Sequence, residues 1–181
     1  MPLRGGIKQG GQHHNSGGQY HEILHRIKKM RKTKIHTKID SPVGKLLLIS
    51  DGDFLTGLYF YKESNGFGFR REGYSVEKND SDIFHETTQQ LQHYFEGQLK
   101  VFDIPVKFDG TGFQKRVWNE LFTIPYGETV SYLDIAKRIG DPGAARAVGW
   151  TNGKNPISII YPCHRVIGSN GKLTGYGGGL S

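Results

Sequence analysis

The only cysteine of this 181-residue chain, Cys163, is followed directly by His164. A thiol beside an imidazole has the composition of a nucleophile with its base, because the thiolate is the reactive form of cysteine. A lone cysteine forms no internal disulfide, and it supplies too few ligands for a structural zinc site. Composition alone leaves two interpretations: a buried, inert thiol, which is the commoner state of a free cysteine, or a catalytic nucleophile.

The residues before the cysteine predict two short helices. Ser131 is a good N-cap for a helix over 132–139, and Gly140-Asp141-Pro142 ends that helix. The proline then begins a second helix, which is predicted to run to Gly149. Two short helices joined by such a turn have the form of a helix-turn-helix, although helical hairpins are common.

The second of these helices is lined with alanine and glycine and carries one long basic side chain, Arg146. It offers little hydrogen-bond readout of base edges, while its small side chains permit close approach to the wall of a groove. This composition favours DNA binding that does not depend on sequence. For Arg146 by itself, a surface salt bridge is the simpler interpretation.

The first half of the chain predicts a small sheet with one helix. Together with the helices that follow, this gives an α+β fold: a sheet-plus-helix domain over 35–107, then a mainly helical domain over 108–181 with the helix-turn-helix and Cys163. The expected elements are strands over 35–39, 45–50, 54–61 and 101–106, a loop over 63–80, and helices over 83–95 and 113–122.

The net charge of +7 is unevenly distributed along the chain. Residues 1–38 carry +8, residues 39–107 carry −4, and residues 108–181 carry +3. The basic character therefore lies mostly in an N-terminal extension, residues 1–34, which we expect to be disordered; a DNA-tethering arm is the functional alternative. No signal peptide is recognisable, and the apolar runs are too short to span a bilayer. A single unpaired cysteine fits a reducing compartment, so we expect the cytoplasm, with nucleoid association, or the nucleus of a eukaryote.

Seven short motifs follow one another in the last 70 residues or so of the chain. They are Phe113-Gln114-Lys115-Arg116-Val117-Trp118, Ile124-Pro125-Tyr126-Gly127-Glu128-Thr129, Ser131-Tyr132, Ala144-Ala145-Arg146-Ala147-Val148-Gly149, Asn155-Pro156, Pro162-Cys163-His164-Arg165-Val166 and Gly175-Tyr176-Gly177-Gly178-Gly179-Leu180. In this order and at this spacing they closely resemble the O6-alkylguanine-DNA alkyltransferases, also called methylated-DNA–protein-cysteine methyltransferases. The fragment Pro-Cys-His-Arg alone would be weaker.

The resemblance implies DNA repair by direct reversal. The alkyl group of O6-alkylguanine, with O4-alkylthymine as a further candidate substrate, would be transferred to Cys163 after the nucleotide is rotated out of the duplex. The thioether product is not reversed by any second thiol, so one molecule repairs one lesion. No metal and no organic cofactor is implied. The expected partner is double-stranded DNA containing alkylated guanine, bound by a monomer with no membrane association.

The resemblance also assigns roles to residues. His164 would act as the base for Cys163 through a bridging water, on a strand that ends at the cysteine, and Tyr132 would donate to the guanine ring. The simpler interpretations are a structural histidine and a packing tyrosine. Arg146 would be the finger that fills the space of the rotated base. The expected DNA contacts are Arg146, Tyr132, Ala145, Ser169 and Gln114, and the expected pocket and hinge residues are Asn155, Val166, Tyr176 and Gly177.

Two departures from the family pattern qualify these expectations. The pattern continues past the glycine loop into a helix whose glutamate hydrogen-bonds the histidine, whereas this sequence ends at Ser181. We therefore expect slower alkyl transfer and lower stability than in full-length relatives, with a non-catalytic binder of alkylated DNA as the alternative function. Trp150 stands where the family usually has a small residue. Two interpretations of this tryptophan are equally open: it alters the DNA-facing surface, or it makes an extra core or hinge contact.

Overall fold

The computed structural model describes residues 34–61, 74–78, 81–168 and 171, with the backbone alone at 74–78. Within these ranges the fold is α+β, as expected: a four-stranded sheet and one helix come first, and a mainly helical part follows. None of the described helices is long and apolar enough to cross a membrane. The strands are β1 (Lys34–Ile39), β2 (Leu46–Ser50), β3 (Leu55–Phe60), β4 (Tyr74–Lys78), β5 (Val130–Ser131) and β6 (Val166–Ile167), and the helices are α1 (Asp82–Phe95), α2 (Gly112–Phe122), α3 (Tyr132–Arg138) and α4 (Ala145–Asn152).

The first four strands form a sheet in the order β3-β2-β1-β4. β2 is antiparallel to both neighbours, and all five of its residues are buried. This explains why its sequence is continuously apolar through Ile49 rather than alternating. β4 pairs in parallel with β1. The prediction of a loop over 63–80 is therefore wrong at 74–78. The alternating apolar residues Tyr74 and Val76 indicate a strand, but the charged and glycine residues on either side make this pattern hard to recognise.

The segment after α1 does not form the strand expected over 101–106. Only Val106 bridges to Leu55, through backbone bonds in which Leu55 N donates to Pro105 O (2.8 Å) and Lys107 N donates to Leu55 O (3.0 Å). Pro105 has no N–H group, so it cannot continue a ladder. The missing N–H of Pro105 therefore prevents the strand that the apolar composition of residues 101–106 predicts.

Residues 156–160 join the second half of the chain to the sheet. Leu58 N donates to Pro156 O (2.9 Å), and Ser158 N donates to Leu58 O (3.0 Å). Ile157, Ile159 and Ile160 are buried in the apolar cluster formed by the sheet and α1. The first hydrophobic core is thus completed by residues from beyond the boundary expected at 107–108.

A second core lies among the helices. Trp118 is central to it: the side chain is 3% exposed, and its indole N–H donates to Thr151 O at 3.1 Å. Burying an indole with its N–H paired removes a large apolar area without an unsatisfied donor. The buried residues of this cluster are Val117, Trp118, Leu121, Ile124, Ile135, Ala136, Val148 and Val166.

The helix-turn-helix expected from the sequence is formed by α3 and α4. Ser131 caps α3 with a capping box, its hydroxyl accepting from Asp134 N (3.1 Å) while the Asp134 carboxylate accepts from Ser131 N (2.9 Å). The second helix differs from expectation at both ends. Residues Pro142–Ala144 form a 3₁₀ turn, and the α-helix itself continues to Asn152, three residues beyond the predicted end.

Candidate active site and DNA-facing helix

Cys163 begins a single 3₁₀ turn, Cys163–Arg165, between Pro162 and β6. No strand ends at the cysteine, because Ile157 makes only an isolated bridge to Leu58 and residues 158–160 form turns. Ile159 has φ = 71°, a left-handed conformation that no strand residue adopts and that is rare for a β-branched side chain. Cys163 and His164 therefore lie on a turn, where the alternation of strand neighbours does not apply.

Asn155 ties the loop before the cysteine into its turns. Its Oδ1 accepts from Ile157 N (3.0 Å), and its Nδ2 donates to Tyr161 O (2.7 Å) and to Ile157 O (3.3 Å). The residue is 7% exposed. One buried amide side chain thus fixes both ends of the 157–161 segment, which replaces the bonds that a strand would have supplied. Its role as a hinge in DNA repair stays a prediction.

Asn152 holds the cysteine from the other side. It is buried at the end of α4, and its Nδ2 donates to Cys163 O at 3.2 Å. Its Oδ1 is also buried and finds no hydrogen-bond partner in the described part of the chain. Sequence reasoning did not assign this residue. It lies at the end of the alanine-lined helix, eleven residues before the cysteine, and no sequence pattern there indicates a contact with Cys163.

Arg165 anchors the end of the cysteine turn. The residue is 9% exposed. Its guanidinium donates to Ile124 O (3.0 Å) and to the hydroxyl of Tyr94 (3.3 Å). The guanidinium also lies 5.3 Å from the ring centroid of Tyr126. Arg165 therefore connects the turn to α1 and to the loop after α2. The sequence placed it within the cysteine motif, but its contacts could not be read from that.

The protonation of the two central side chains is set by burial. Burial raises the pKa of the Cys163 thiol, while the Asn155 side chain and the backbone N–H groups of Cys163 and His164 act in the opposite direction. Burial, with a smaller contribution from the nearby charge of Arg165, lowers the pKa of His164 to about 4. These shifts favour a neutral imidazole beside a neutral thiol at pH 7, and the role of His164 as the base for Cys163 stays a prediction.

Tyr132 and Val166 are brought to the cysteine turn by a short parallel ladder. β5 pairs with β6 through Val130–Val166 and Ser131–Ile167, and Tyr132 follows immediately at the first position of α3. The tyrosine ring packs on α4 at Gly149, where an added Cβ would lie 3.7 Å from the ring. That distance is an ordinary van der Waals contact, so α3 and α4 pack directly against each other at the residue that is expected to contact guanine.

The remaining predicted residues are placed as follows. Arg146 is exposed on α4, and Ala145 beside it is half-buried. The side-chain oxygen of Gln114 accepts from Thr111 N (2.9 Å) in the capping box of α2, so part of its hydrogen-bonding capacity is used within the fold. The described residues contain no group of three or more side chains that could hold a metal ion. Three expected site residues, Ser169, Tyr176 and Gly177, lie outside the described residues.

Two family profiles match the chain over most of its length. The profile described as the ribonuclease-like domain of 6-O-methylguanine DNA methyltransferase matches residues 34–108. The profile described as the DNA binding domain of 6-O-methylguanine DNA methyltransferase matches residues 112–181. The chain belongs to the 6-O-methylguanine DNA methyltransferase family. Its second half is the DNA-binding domain of that family.

Individual methyltransferases agree with this assignment. The chain is 52% identical over 143 residues to the methylated-DNA–protein-cysteine methyltransferase of Mycobacterium bovis, covering 79% of this chain and 84% of the relative. It is 49% identical over 146 residues to the enzyme of the same name from Methanosarcina acetivorans, covering 78% and 88%. The crystal structure of Mycobacterium tuberculosis OGT in complex with DNA superimposes with a TM-score of 0.70 at 51% identity, covering 80% of this chain and 84% of that one.

Proposed function

We propose that this methyltransferase repairs DNA by moving the alkyl group of O6-alkylguanine to Cys163. The thiolate sulfur attacks the alkyl carbon, a C–S bond forms, and the C–O bond breaks with its electron pair passing to guanine O6. The base is then released as guanine once it takes up a proton. The thioether is not reversed, so each molecule acts once. The observation that carries the proposal is the holding of the only cysteine by Asn152 and Asn155 beside the second helix of the DNA-binding domain.

The geometry supports separate roles for the neighbouring side chains. His164, with a pKa of about 4, is neutral at pH 7 and a weak base in the resting site, so we expect it to take up the thiol proton only transiently, as the lesion enters. Tyr132 lies at the start of α3, next to the strand pair that follows the cysteine turn, where its hydroxyl would donate to the rotated base. Because burial keeps the resting thiol protonated, proton transfer is expected to accompany entry of the lesion rather than to precede it.

The substrate and its setting are proposed on the same grounds. The exposed Arg146 would fill the space left by the rotated nucleotide, and the small side chains of α4 suit the minor groove, where readout is degenerate. We expect a monomer acting on double-stranded DNA, in the cytoplasm of a prokaryote or the nucleus of a eukaryote.

Intact mass tests the proposal. The protein is incubated with a duplex containing O6-methylguanine, in parallel with an unmodified duplex and with a Cys163→Ser variant. We expect a gain of one methyl group only with the lesion and only in the presence of Cys163. Lesion-selective binding with no gain in mass would overturn the transferase assignment in favour of a non-catalytic binder of alkylated DNA.

A further inference from the structure

An exposed stripe of large side chains runs along α4 and the turn after it. Arg146, Trp150 and Lys154 are spaced four residues apart, so they lie on one face of the helix. Trp150 is 60% exposed, whereas the other tryptophan of the chain, Trp118, is buried in the second core. The opposite face of α4 supplies Val148 and Thr151 to the interior. The fold therefore does not use the indole of Trp150 for packing of its core.

One face of this indole is occupied by a cation. The Nζ of Lys154 lies 3.5 Å from the ring centroid of Trp150, well inside the range of a cation–π interaction. Because Trp150 as a whole is 60% exposed, much of the remaining ring surface is accessible in the described part of the chain. The pair is also free of acidic neighbours along the chain, because residues 142–168 contain no aspartate or glutamate. The stripe thus combines an aromatic surface with positive charge only, which complements a phosphate backbone.

We propose that Trp150 and Lys154 form a DNA contact separate from that of Arg146. The accessible face of the indole packs on the sugar and base edge of one nucleotide, and the Lys154 ammonium, held on the opposite face, lies against the phosphate of a neighbouring nucleotide. This rests on the proposed function only in taking α4 as the helix that faces DNA. The retained Lys154 leaves one indole face for DNA, so the contact is one-sided packing and not insertion between two base pairs.

The spacing locates this contact on the duplex. Four helical residues rise about 6 Å along the helix axis. Successive nucleotides of one strand are about 3.4 Å apart along the DNA axis. With α4 lying along the groove, Trp150 therefore meets the strand about two nucleotides from the one that Arg146 meets. The contact would hold undamaged flanking DNA, so it should strengthen binding whether or not a lesion is present.

Binding of an unmodified duplex, measured by fluorescence anisotropy over a series of salt concentrations, tests the proposal. Trp150→Ala should weaken binding about fivefold or more, the lower end for an aromatic side chain packed on a nucleotide, with the salt dependence unchanged. Trp150→Phe should retain most of the affinity. Lys154→Gln should reduce the slope of log K against log salt by about 1. Because the duplex carries no lesion, the result does not depend on alkyl transfer.

An aromatic–lysine pair next to the start of β3 provides the control; its lysine, Lys107, also bonds to Asp51 Oδ2 at 3.2 Å. Phe54 is 38% exposed, and the Nζ of Lys107 lies 5.8 Å from its ring centroid. Phe54→Ala and Lys107→Gln should leave DNA affinity and its salt slope as in the parent protein. Equal affinity of Trp150→Ala and the parent, or an equal loss in Phe54→Ala, would overturn the proposal. So would a fall in solution mass on Trp150→Ala, since the indole would then be packing against a second copy.

Tryptophan emission gives a second measurement that does not depend on affinity. The chain has two tryptophans, and only Trp150 is exposed. Saturating DNA should therefore quench emission from Trp150, and Trp150→Phe should abolish this change while the signal of Trp118 persists. Unaltered emission at saturation would contradict one-sided packing of the indole on a nucleotide, even if the duplex is bound.

Discussion

Replacing Asn155 by alanine should destabilise the loop that carries the cysteine, and the structure gives the size of the effect. The two carbonyl groups that Nδ2 serves keep other partners, since Tyr161 O also accepts from Cys163 N and Ile157 O also accepts from Tyr161 N. Ile157 N has its acceptor in Asn155 Oδ1 and would be left buried and unpaired. One orphaned donor and two weakened acceptors correspond to about 3 kcal/mol of unfolding free energy.

Two further variants separate this explanation from a general loss of packing. Asn155→Asp keeps the acceptor for Ile157 N but places a carboxylate oxygen against two carbonyl groups. Its free energy of unfolding should be as low as that of Asn155→Ala at pH 7. Its deficit relative to the parent at the same pH should shrink at low pH, where the protonated carboxyl can donate to Tyr161 O. Asn152→Ala is the matched control, because Cys163 O keeps a bond from Val166 N and the Asn152 Oδ1 is already without a partner in the described residues. It should lose about 1 kcal/mol or less.

Urea unfolding of the three variants gives these free energies, and intact mass over time gives the rate of methyl transfer. We expect Asn155→Ala to transfer more slowly at pH 7 than Asn152→Ala, because loss of the Asn155 side chain also raises the pKa of Cys163 further. The reasoning is refuted if Asn155→Ala lies within 1 kcal/mol of the parent, if Asn152→Ala loses as much, or if Asn155→Asp is fully stable at pH 7.

Three other results are expected. His164 binds a proton near pH 6.5 in the unfolded chain but only at about pH 4 in the folded protein. The stability that its neutral form contributes is therefore present above pH 6.5 and is lost as the pH falls towards 4. Urea unfolding should show a loss of roughly 2–3 kcal/mol over this range, and His164→Gln should remove that loss. Trp118→Phe should lose about 2 kcal/mol in thermal unfolding, mainly because the smaller ring leaves a cavity; Thr151 O loses the indole donor but keeps its bond from Lys154 N. A loss below 0.5 kcal/mol would contradict this. The Cys163 thiol should react with iodoacetamide more slowly in the native protein than in urea at pH 8, and its native rate should keep rising above pH 9; equal rates at pH 8 would count against burial of the thiol.

The sequence predicted the elements whose signals are local. The helix-turn-helix was predicted because Ser131 is a capping residue and a Gly-Asp-Pro turn separates two helical segments, and both features depend on neighbouring residues only. β2 was predictable from its apolar run. The conformation at Ile159 was not, because a β-branched residue has an intrinsic preference against positive φ, and the Asn155 hydrogen bonds and burial in the first core override that preference.

The sequence could nominate residues for the candidate site, but it could not predict the hydrogen bonds that hold them. Cys163, His164 and Tyr132 were assigned through a family resemblance carried by short motifs. The contacts of Arg165 with Ile124 and Tyr94 join residues that are far apart in sequence, and a single sequence contains no information on such pairs. Asn152 was missed for the same reason. The low pKa of His164 also follows from burial, which depends on the tertiary fold.

The three isoleucines before the cysteine have a consequence for the order of folding. Ile157, Ile159 and Ile160 complete the core of a sheet whose strand β3 is made about a hundred residues earlier, a contact of high loop-closure entropy that forms late. During synthesis the sheet therefore remains without these side chains until the segment before the cysteine has been added. We therefore expect the cysteine turn to take its final geometry only after both cores are assembled.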